Sequence, residues 1–254
     1  MTLPSSPPTA SLRSIRAGER GWFAFAIQTA LIQTGHEIEA DGAYGPLTTA
    51  AALAFQASNQ LFADGICGPV TQAKLVDRIA TKVESGRPGL ALGLLRGVCQ
   101  LEASGLISVV NWTVPGGVDC GCVQRRVQGP LFDLELLRAA FDTRAQLVLT
   151  AANWETRRNR YLSMAWAKDN RERAGRAAAL AHNWPAGAEA IATNGIVNSP
   201  DVALTWVPRD AQGRSLVRFP DGVRVETRQE WAEFYAMGGS HGEGLVSRYV
   251  TDWR

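Results

Sequence analysis

The sequence predicts a mainly α chain, with a small three-helix unit followed by an α+β domain that carries a small β-hairpin region. Three observations predict it. A turn motif, D-G-x-x-G-P-x-T, occurs at residues 41–48 and again at 64–71, each time ahead of a helical apolar pattern. A longer apolar stripe with helical spacing runs over residues 90–104. Period-two alternation then replaces it around residues 118–123, as a strand requires.

Residues 1–10 are rich in Pro, Ser and Thr and read as a flexible arm. The opening segment MTLPSSPPTASLRSIRAG has no apolar core, so no secretory signal peptide is expected. GWFAFAIQTALIQTG reads as the first helix, ended near Gly35. In each copy of the motif Asp and Gly make a tight turn. Pro46 and Pro69 suit helix starts, and Thr48 and Thr71 can bond first-turn amides. Two helices follow, TTAAALAFQASNQL and TQAKLVDRIATKV, closing a unit over residues 11–82. TKVESGRPG is polar with Gly and Pro, which places a linker at 83–89 and a second domain over 90–254.

Composition narrows the function classes. The 254 residues are 46% hydrophobic and 20% charged, with a net charge of +2. That charge is too small to indicate a nucleic-acid partner. No stretch approaches the about 18 apolar residues that a membrane helix needs, so no stable membrane insertion is expected. The four cysteines (Cys67, Cys99, Cys120, Cys122) are expected as free thiols. Cys120-x-Cys122 lacks a second ligand pair, and His36, His182 and His241 have no ligand spacing between them. No metal or cofactor is expected, and an amidase or peptidase with a metal or a His/Cys nucleophile set is disfavoured.

In the helix over 90–104, Leu90, Leu94, Val98 and Leu101 form a buried stripe, and Glu102 falls near its end. A carboxyl at the end of an apolar helix is partly desolvated and holds its proton more tightly. Alone, Glu102 reads rather as a surface residue at a helix end. Seventeen residues on lies Asp119, in a D-x-G-x-x-Q run that includes Gly121 and Gln124. A helix ending in Glu and a following hairpin carrying Asp can set two carboxylates across a cleft, which is what glycoside cleavage requires.

Two resemblances sharpen these readings. The repeat frame, with Leu31…Gly35, Phe55-Gln56 and both D-G-x-x-G-P-x-T copies, resembles the peptidoglycan-binding domain found beside many cell-wall hydrolases. The resemblance implies a wall-binding module, with Asp41, Tyr44, Thr48, Asp64 and Thr71 as its candidate residues, although each also has a purely turn-building reading. The Glu102-to-Asp119 spacing and the D-x-G-x-x-Q strand resemble the lysozyme superfamily, and G-x-x-Q after a catalytic Glu is shared with lytic transglycosylases. That resemblance implies a lysozyme-like domain over 90–254, Glu102 as general acid, Asp119 as the stabilising or nucleophilic carboxylate, and Gln124 on the sugar site.

Ala181-His182-Asn183-Trp184-Pro185 is similar to the A-Y-N-A-G segment of transglycosylase-like domains, with His182 in place of Tyr. It implies that Asn183 contacts an N-acetyl group or a water. His182 also reads as a plain helix-end residue, and the match around Tyr161 is loose. Trp112 and Trp184 flank motif positions and could pack on a sugar ring. Trp22, Trp154, Trp166, Trp206, Trp231 and Trp253 read as core. Residues 155–176, with seven basic and three acidic side chains, read as a solvated helix face. In the tail, DVALTWVP reads as a strand, SLVRFPDGVRVET as a hairpin, and TRQEWAEFYAMGG and SRYVTDW as helical.

These features point to a modular bacteriophage endolysin. The expectation is a monomer acting on bacterial peptidoglycan at the β-1,4 bond between N-acetylmuramic acid and N-acetylglucosamine. It would be made in the host cytoplasm and released to the wall with the help of a separate holin. A lytic transglycosylase using Glu102 alone and a non-catalytic wall-binding virion protein are the alternatives.

Overall fold

The computed structural model describes residues 3–90, 94–112, 117–128, 133–183, 185–194, 209–216, 218, 222–227 and 230, with the backbone alone at 100, 101, 172, 176, 179, 180, 183, 187, 191 and 194. Contacts divide the chain into two compact units. One comprises Met1–Gly86 and Val98–Leu149, the other Arg87–Gly97 and Thr150–Arg254.

The first unit opens with α1 (Trp22–Gln33), α2 (Pro46–Ser58) and α3 (Pro69–Ser85). α2 and α3 each begin on a proline that follows an extended glycine, where the missing N–H costs nothing. α3 continues to Ser85, into the segment expected as a linker. Gly42 and Gly65, at equivalent places in the two turns, hold φ of 75° and 71°, a region open to glycine without steric cost.

A buried glutamine closes each copy of the motif. Gln28 Nε2 donates to Asp41 (2.8 Å), the Ala43 carbonyl (3.1 Å) and Thr48 (3.0 Å), while its Oε1 accepts from Gly42 N–H (2.8 Å). Gln56 repeats the set on Asp64 (2.9 Å), the Ile66 carbonyl (2.9 Å), Thr71 (3.1 Å) and Gly65 N–H (2.9 Å). Both glutamines are 1% exposed. These bonds, with backbone donors, hold the Asp41 and Asp64 carboxyls below the usual carboxylate range; Gln28 is the main cause for Asp41, and the Ile66 N–H for Asp64. The copies also meet each other. Tyr44 donates to the Gly65 carbonyl at 2.8 Å and touches Cys67, its counterpart in the second copy, at 3.5 Å.

Five more elements complete or extend this unit: α4 (Leu94–Ala103), the strands β1 (Val110–Asn111), β2 (Gly117–Cys120) and β3 (Arg125–Gln128), and α5 (Leu134–Ala140). The strands form one antiparallel sheet in the order β1-β2-β3. Asp133 caps α5, its carboxylate accepting from the N–H groups of Glu135 and Leu136. α6 (Thr143–Tyr161) follows, and the boundary between the two units falls within α4 and within α6.

Residues 98–149 thus share a core with the three-helix region. Trp22 stacks on Phe141 with ring centroids 5.4 Å apart, and Phe23 meets the same ring edge-on at 5.9 Å. Gln33 donates to Asp142 at 2.7 Å. Gln72, fully buried in α3, accepts from Ile107 N–H (2.9 Å) and Ser108 N–H (3.2 Å), and its Nε2 donates to the Arg13 and Cys67 carbonyls. The N-terminal arm lies along this unit. The Trp22 indole donates to the Ser6 carbonyl at 3.0 Å, the Trp112 indole to the Pro8 carbonyl at 2.7 Å, and Ser11 exchanges hydrogen bonds with Val110.

In the second unit, the later part of α6 packs with α7 (Arg171–Asn183) and α8 (Pro185–Asn194). The Trp154 indole donates to the Gly175 carbonyl at 3.2 Å, and Arg157 donates to the Ala181 carbonyl. Arg87 pairs with Glu155 at 2.6 Å, and Arg158 donates to the Gly89 carbonyl. Trp22 and Trp154 are core residues, as expected, whereas Trp166 is half-buried. Arg218 and Arg224 pair across the expected hairpin. DVALTWVP, most of TRQEWAEFYAMGG, and SRYVTDW lie outside the described residues, as do Trp206, Trp231 and Trp253. No helix among the described residues is long and apolar enough to cross a membrane.

Removing a glutamine clamp leaves several buried polar groups without partners, and each such group costs on the order of 1–3 kcal/mol. Gln56→Ala and Gln28→Ala are each expected to destabilise the first unit by roughly 3 kcal/mol, read from urea unfolding. A change below about 0.5 kcal/mol would contradict the role given to these clamps.

Candidate active site

α4 delivers Glu102. Leu94, Leu95, Val98 and Cys99 anchor the helix in the interior, and Glu102 follows one turn later, half-buried. The helix stops because Ser104 and Gly105 both take positive φ, 53° and 73°, and the Gly105 N–H turns back to the Cys99 carbonyl at 3.1 Å. Burial pushes the Glu102 carboxyl up from 4.5 to about 7, and the negative charge of Asp119 adds to the shift. The negative end of the helix dipole acts in the same sense.

β2 delivers Asp119. It lies in the central strand, paired with Asn111 on β1 and Arg126 on β3, so the three side chains share one face of the sheet. Arg126 donates Nε to Asp119 Oδ1 at 2.9 Å and Nη2 to Oδ2 at 3.2 Å, engaging both carboxylate oxygens. The Asp119 side chain is only 13% exposed, against 53% for Arg126. The opposite face is apolar: Val118, Cys120 and Val127 are buried. Burial, with Asp119 nearby, pushes the Cys120 thiol up to about 12. All four cysteines are buried, free thiols.

The rest of the D-x-G-x-x-Q run builds the β2–β3 turn. Gly121 holds φ of 75°, and its N–H donates to the Val109 carbonyl at 2.8 Å. Gln124, at φ 51°, is half-buried and donates its side-chain amide to the Gly121 carbonyl at 2.9 Å. From α6, the buried Gln146 accepts from Val123 N–H at 3.0 Å and donates to the Ala140 carbonyl, which fixes the turn from behind.

The structure therefore brings Glu102 and Asp119 into electrostatic contact and adds Asn111 and Arg126, which the sequence reading did not single out. Arg126 had a weak signal: positions 119 and 126 sit symmetrically about the turn, so hairpin pairing places them opposite each other. Gln146 had none, since one glutamine in a helix carries no mark of what it clamps. Trp112 is 42% exposed at the end of β1, beside Asn111. Tyr161 is buried and His182 half-buried, both in the second unit. Asn183 ends α7 with its side chain outside the description, and Trp184 lies outside the described residues. In the repeat region, Tyr44, Thr48 and Thr71 are buried, and Asp41 and Asp64 are bonded within their turns. All five build the repeat frame.

Comparison with known proteins places a domain of defined type within this unit. Residues 25–75 match the family described as "Putative peptidoglycan binding domain". No curated protein matches the chain. Among solved structures, the crystal structure of a Burkholderia AP3 phage endolysin is 32% identical over 37% of this chain and 40% of that one, with a TM-score of 0.25. The match thus spans about two fifths of that endolysin's length.

Two outcomes follow from the geometry. A Cβ on Gly121 would sit 2.5 Å from the Ala140 carbonyl oxygen and against the Gln146 amide, on a backbone already at positive φ. Gly121→Ala is expected to cost roughly 2–4 kcal/mol in denaturant unfolding, and a neutral result would contradict this packing. The second concerns Glu102. Its folded-state pKa lies above its unfolded value, so the protonated form contributes stability below about 4.5 that is lost as pH rises through about 7. Glu102→Gln, which cannot ionise, should match the wild type at pH 4 and exceed it by up to roughly 3 kcal/mol at pH 8. Equal stability at both pH values would remove the case for a desolvated carboxyl.

Proposed function

We propose that this protein is an endolysin that cleaves the β-1,4 bond between N-acetylmuramic acid and N-acetylglucosamine, with Glu102 as general acid and Asp119 as the second carboxylate. One observation carries the reading: a desolvated carboxyl pushed up to about 7 feels the charge of a second, salt-bridged carboxylate on the neighbouring sheet. The peptidoglycan-binding domain at residues 25–75 supports the choice of polymer.

In this mechanism Glu102 gives its proton to the glycosidic oxygen as the bond to the anomeric carbon breaks. Positive charge develops on the muramic ring, and Asp119 stabilises it. A water deprotonated by Glu102 completes hydrolysis. Asn111 pairs with Asp119 and suits contact with the N-acetyl group, and the exposed Trp112 next to it in the chain suits contact with the sugar ring. Gln124, His182, Asn183, Trp184 and Tyr161 remain candidates for substrate contacts on the resemblance alone. Holin-aided release from the host cytoplasm to the wall, and action as a monomer, belong to the same reading.

Arg126 favours a second outcome. It holds both Asp119 oxygens, so a nucleophilic role would first require breaking a two-point ion pair. A lytic transglycosylase needs no second carboxylate. There Glu102 takes the proton of the muramic C6 hydroxyl, which closes a 1,6-anhydro ring.

Lysis of permeabilised Gram-negative cells tests the proposal. Glu102→Gln should lose about 10²–10⁴-fold in rate, and wild-type rates should fall as pH rises through about 7. A Glu102→Gln protein that lyses like the wild type would return the chain to a non-catalytic wall binder. Asp119→Asn separates the two chemistries. Loss of activity supports hydrolysis. Retained activity, with 1,6-anhydro products by mass spectrometry and an alkaline limb moved to lower pH, supports transglycosylation.

A further inference from the structure

A cavity of about 340 Å³ opens in the first unit between the C-terminal ends of α1 and α2 and the middle of α3. None of its lining residues is assigned in the active-site chemistry. Arg78 and Lys82, one turn apart on α3, supply two positive charges, and no acidic residue lines the cavity. Among the described residues no acidic side chain pairs with either cation. Asn59 Oδ1 accepts from Arg78 Nε at 2.7 Å, a bond that does not use the terminal guanidinium nitrogens.

Gln33, Thr34, Ser58 and Asn59 of the wall are already committed, Gln33 to Asp142 and the Arg144 N–H. Thr34 donates to the Ala30 and Leu31 carbonyls, and Ser58 and Asn59 donate to the Phe55 carbonyl. The carbonyls at these two helix ends are therefore satisfied without Arg78 or Lys82. Phe55 forms the floor but is 2% exposed, with His36 edge-on to it at 6.2 Å. A sugar ring would find no open aromatic face here, whereas a carboxylate would find two cations.

We propose that this cavity is where the peptidoglycan-binding domain takes a carboxylate of the wall's peptide stems, with Arg78 and Lys82 as the recognition pair. The proposal rests on the wall-binding reading of residues 25–75, which α3 carries on through Arg78 and Lys82, and assigns that module to the peptide portion of the polymer, leaving the glycan to the Glu102 site.

The test is co-sedimentation of the full chain with purified sacculi, in a Glu102→Gln background so that the wall stays intact. Arg78→Gln/Lys82→Gln should raise the apparent Kd about tenfold, as expected for two lost exposed charge contacts. A control that removes two exposed cations of the second unit, Lys168→Gln/Arg171→Gln, should leave it unchanged. Sacculi stripped of peptide by an amidase should bind the parent as weakly as intact sacculi bind the double variant. Soluble stem tetrapeptide should compete with intact sacculi for the parent, a readout that does not depend on any variant folding. Equal binding by parent and double variant, an equal loss in the control, undiminished binding to stripped sacculi, or no competition by tetrapeptide would each overturn the assignment. A parent that fails to bind intact sacculi would instead bring down the wall-binding reading itself.

Discussion

Buried carboxamides set the geometry of the first unit. Gln28, Gln56, Gln72 and Gln146 are each no more than 1% exposed, and a buried amide must have its donors and acceptor matched. Each glutamine meets that demand by drawing a loop back onto a helix. Gln28 and Gln56 close the two repeat turns. Gln72 holds the backbone just after α4, and Gln146 holds the β2–β3 turn. The positions of Glu102 and Asp119 follow from the last two clamps, since one segment begins where α4 ends and the other runs into the turn that Gln146 fixes.

With that frame in place, the two carboxylates acquire different chemistry from different surroundings. Glu102 is desolvated at the end of an apolar helix and tends to keep its proton. Asp119, seventeen residues further along the chain but close enough for its charge to act on Glu102, is salt-bridged to Arg126. Two carboxyls in such different surroundings are what the proposed general-acid chemistry requires. Arg126 restrains both oxygens of Asp119, which is why the proposed hydrolysis and transglycosylation make different demands on this pair.

Much of this was legible in the sequence, and the reasons are local. The D-G-x-x-G-P-x-T repeats announced their turns because glycine and proline act on their own backbone. The Glu102 helix and the Asp119 strand were visible in their apolar spacing. What could not be read is non-local. Gln72 and Ser108 are thirty-six positions apart, and nothing near either residue signals the other. Asp41, Thr48, Asp64 and Thr71 stood out as candidate contacts because the motif is conspicuous, yet that prominence comes from their bonds to Gln28 and Gln56. Arg78 and Lys82 have the opposite history. They look like ordinary surface charges on a helix, and only the fold gathers them around one cavity.

The bonds from Gln72 to Ile107 and Ser108, and the stacking of Trp22 on Phe141, carry a consequence for how such chains recombine. Order along the chain suggests a cassette that could be cut near Gly86 and joined to another enzyme. The shared interior forbids so clean an exchange. A cut there would strip Gln72 of two backbone donors and Trp22 of its aromatic neighbour, leaving an open core on both fragments. A transferable piece would have to carry Val98–Leu149 with it, so that the unit of inheritance includes the segment bearing Glu102 and Asp119.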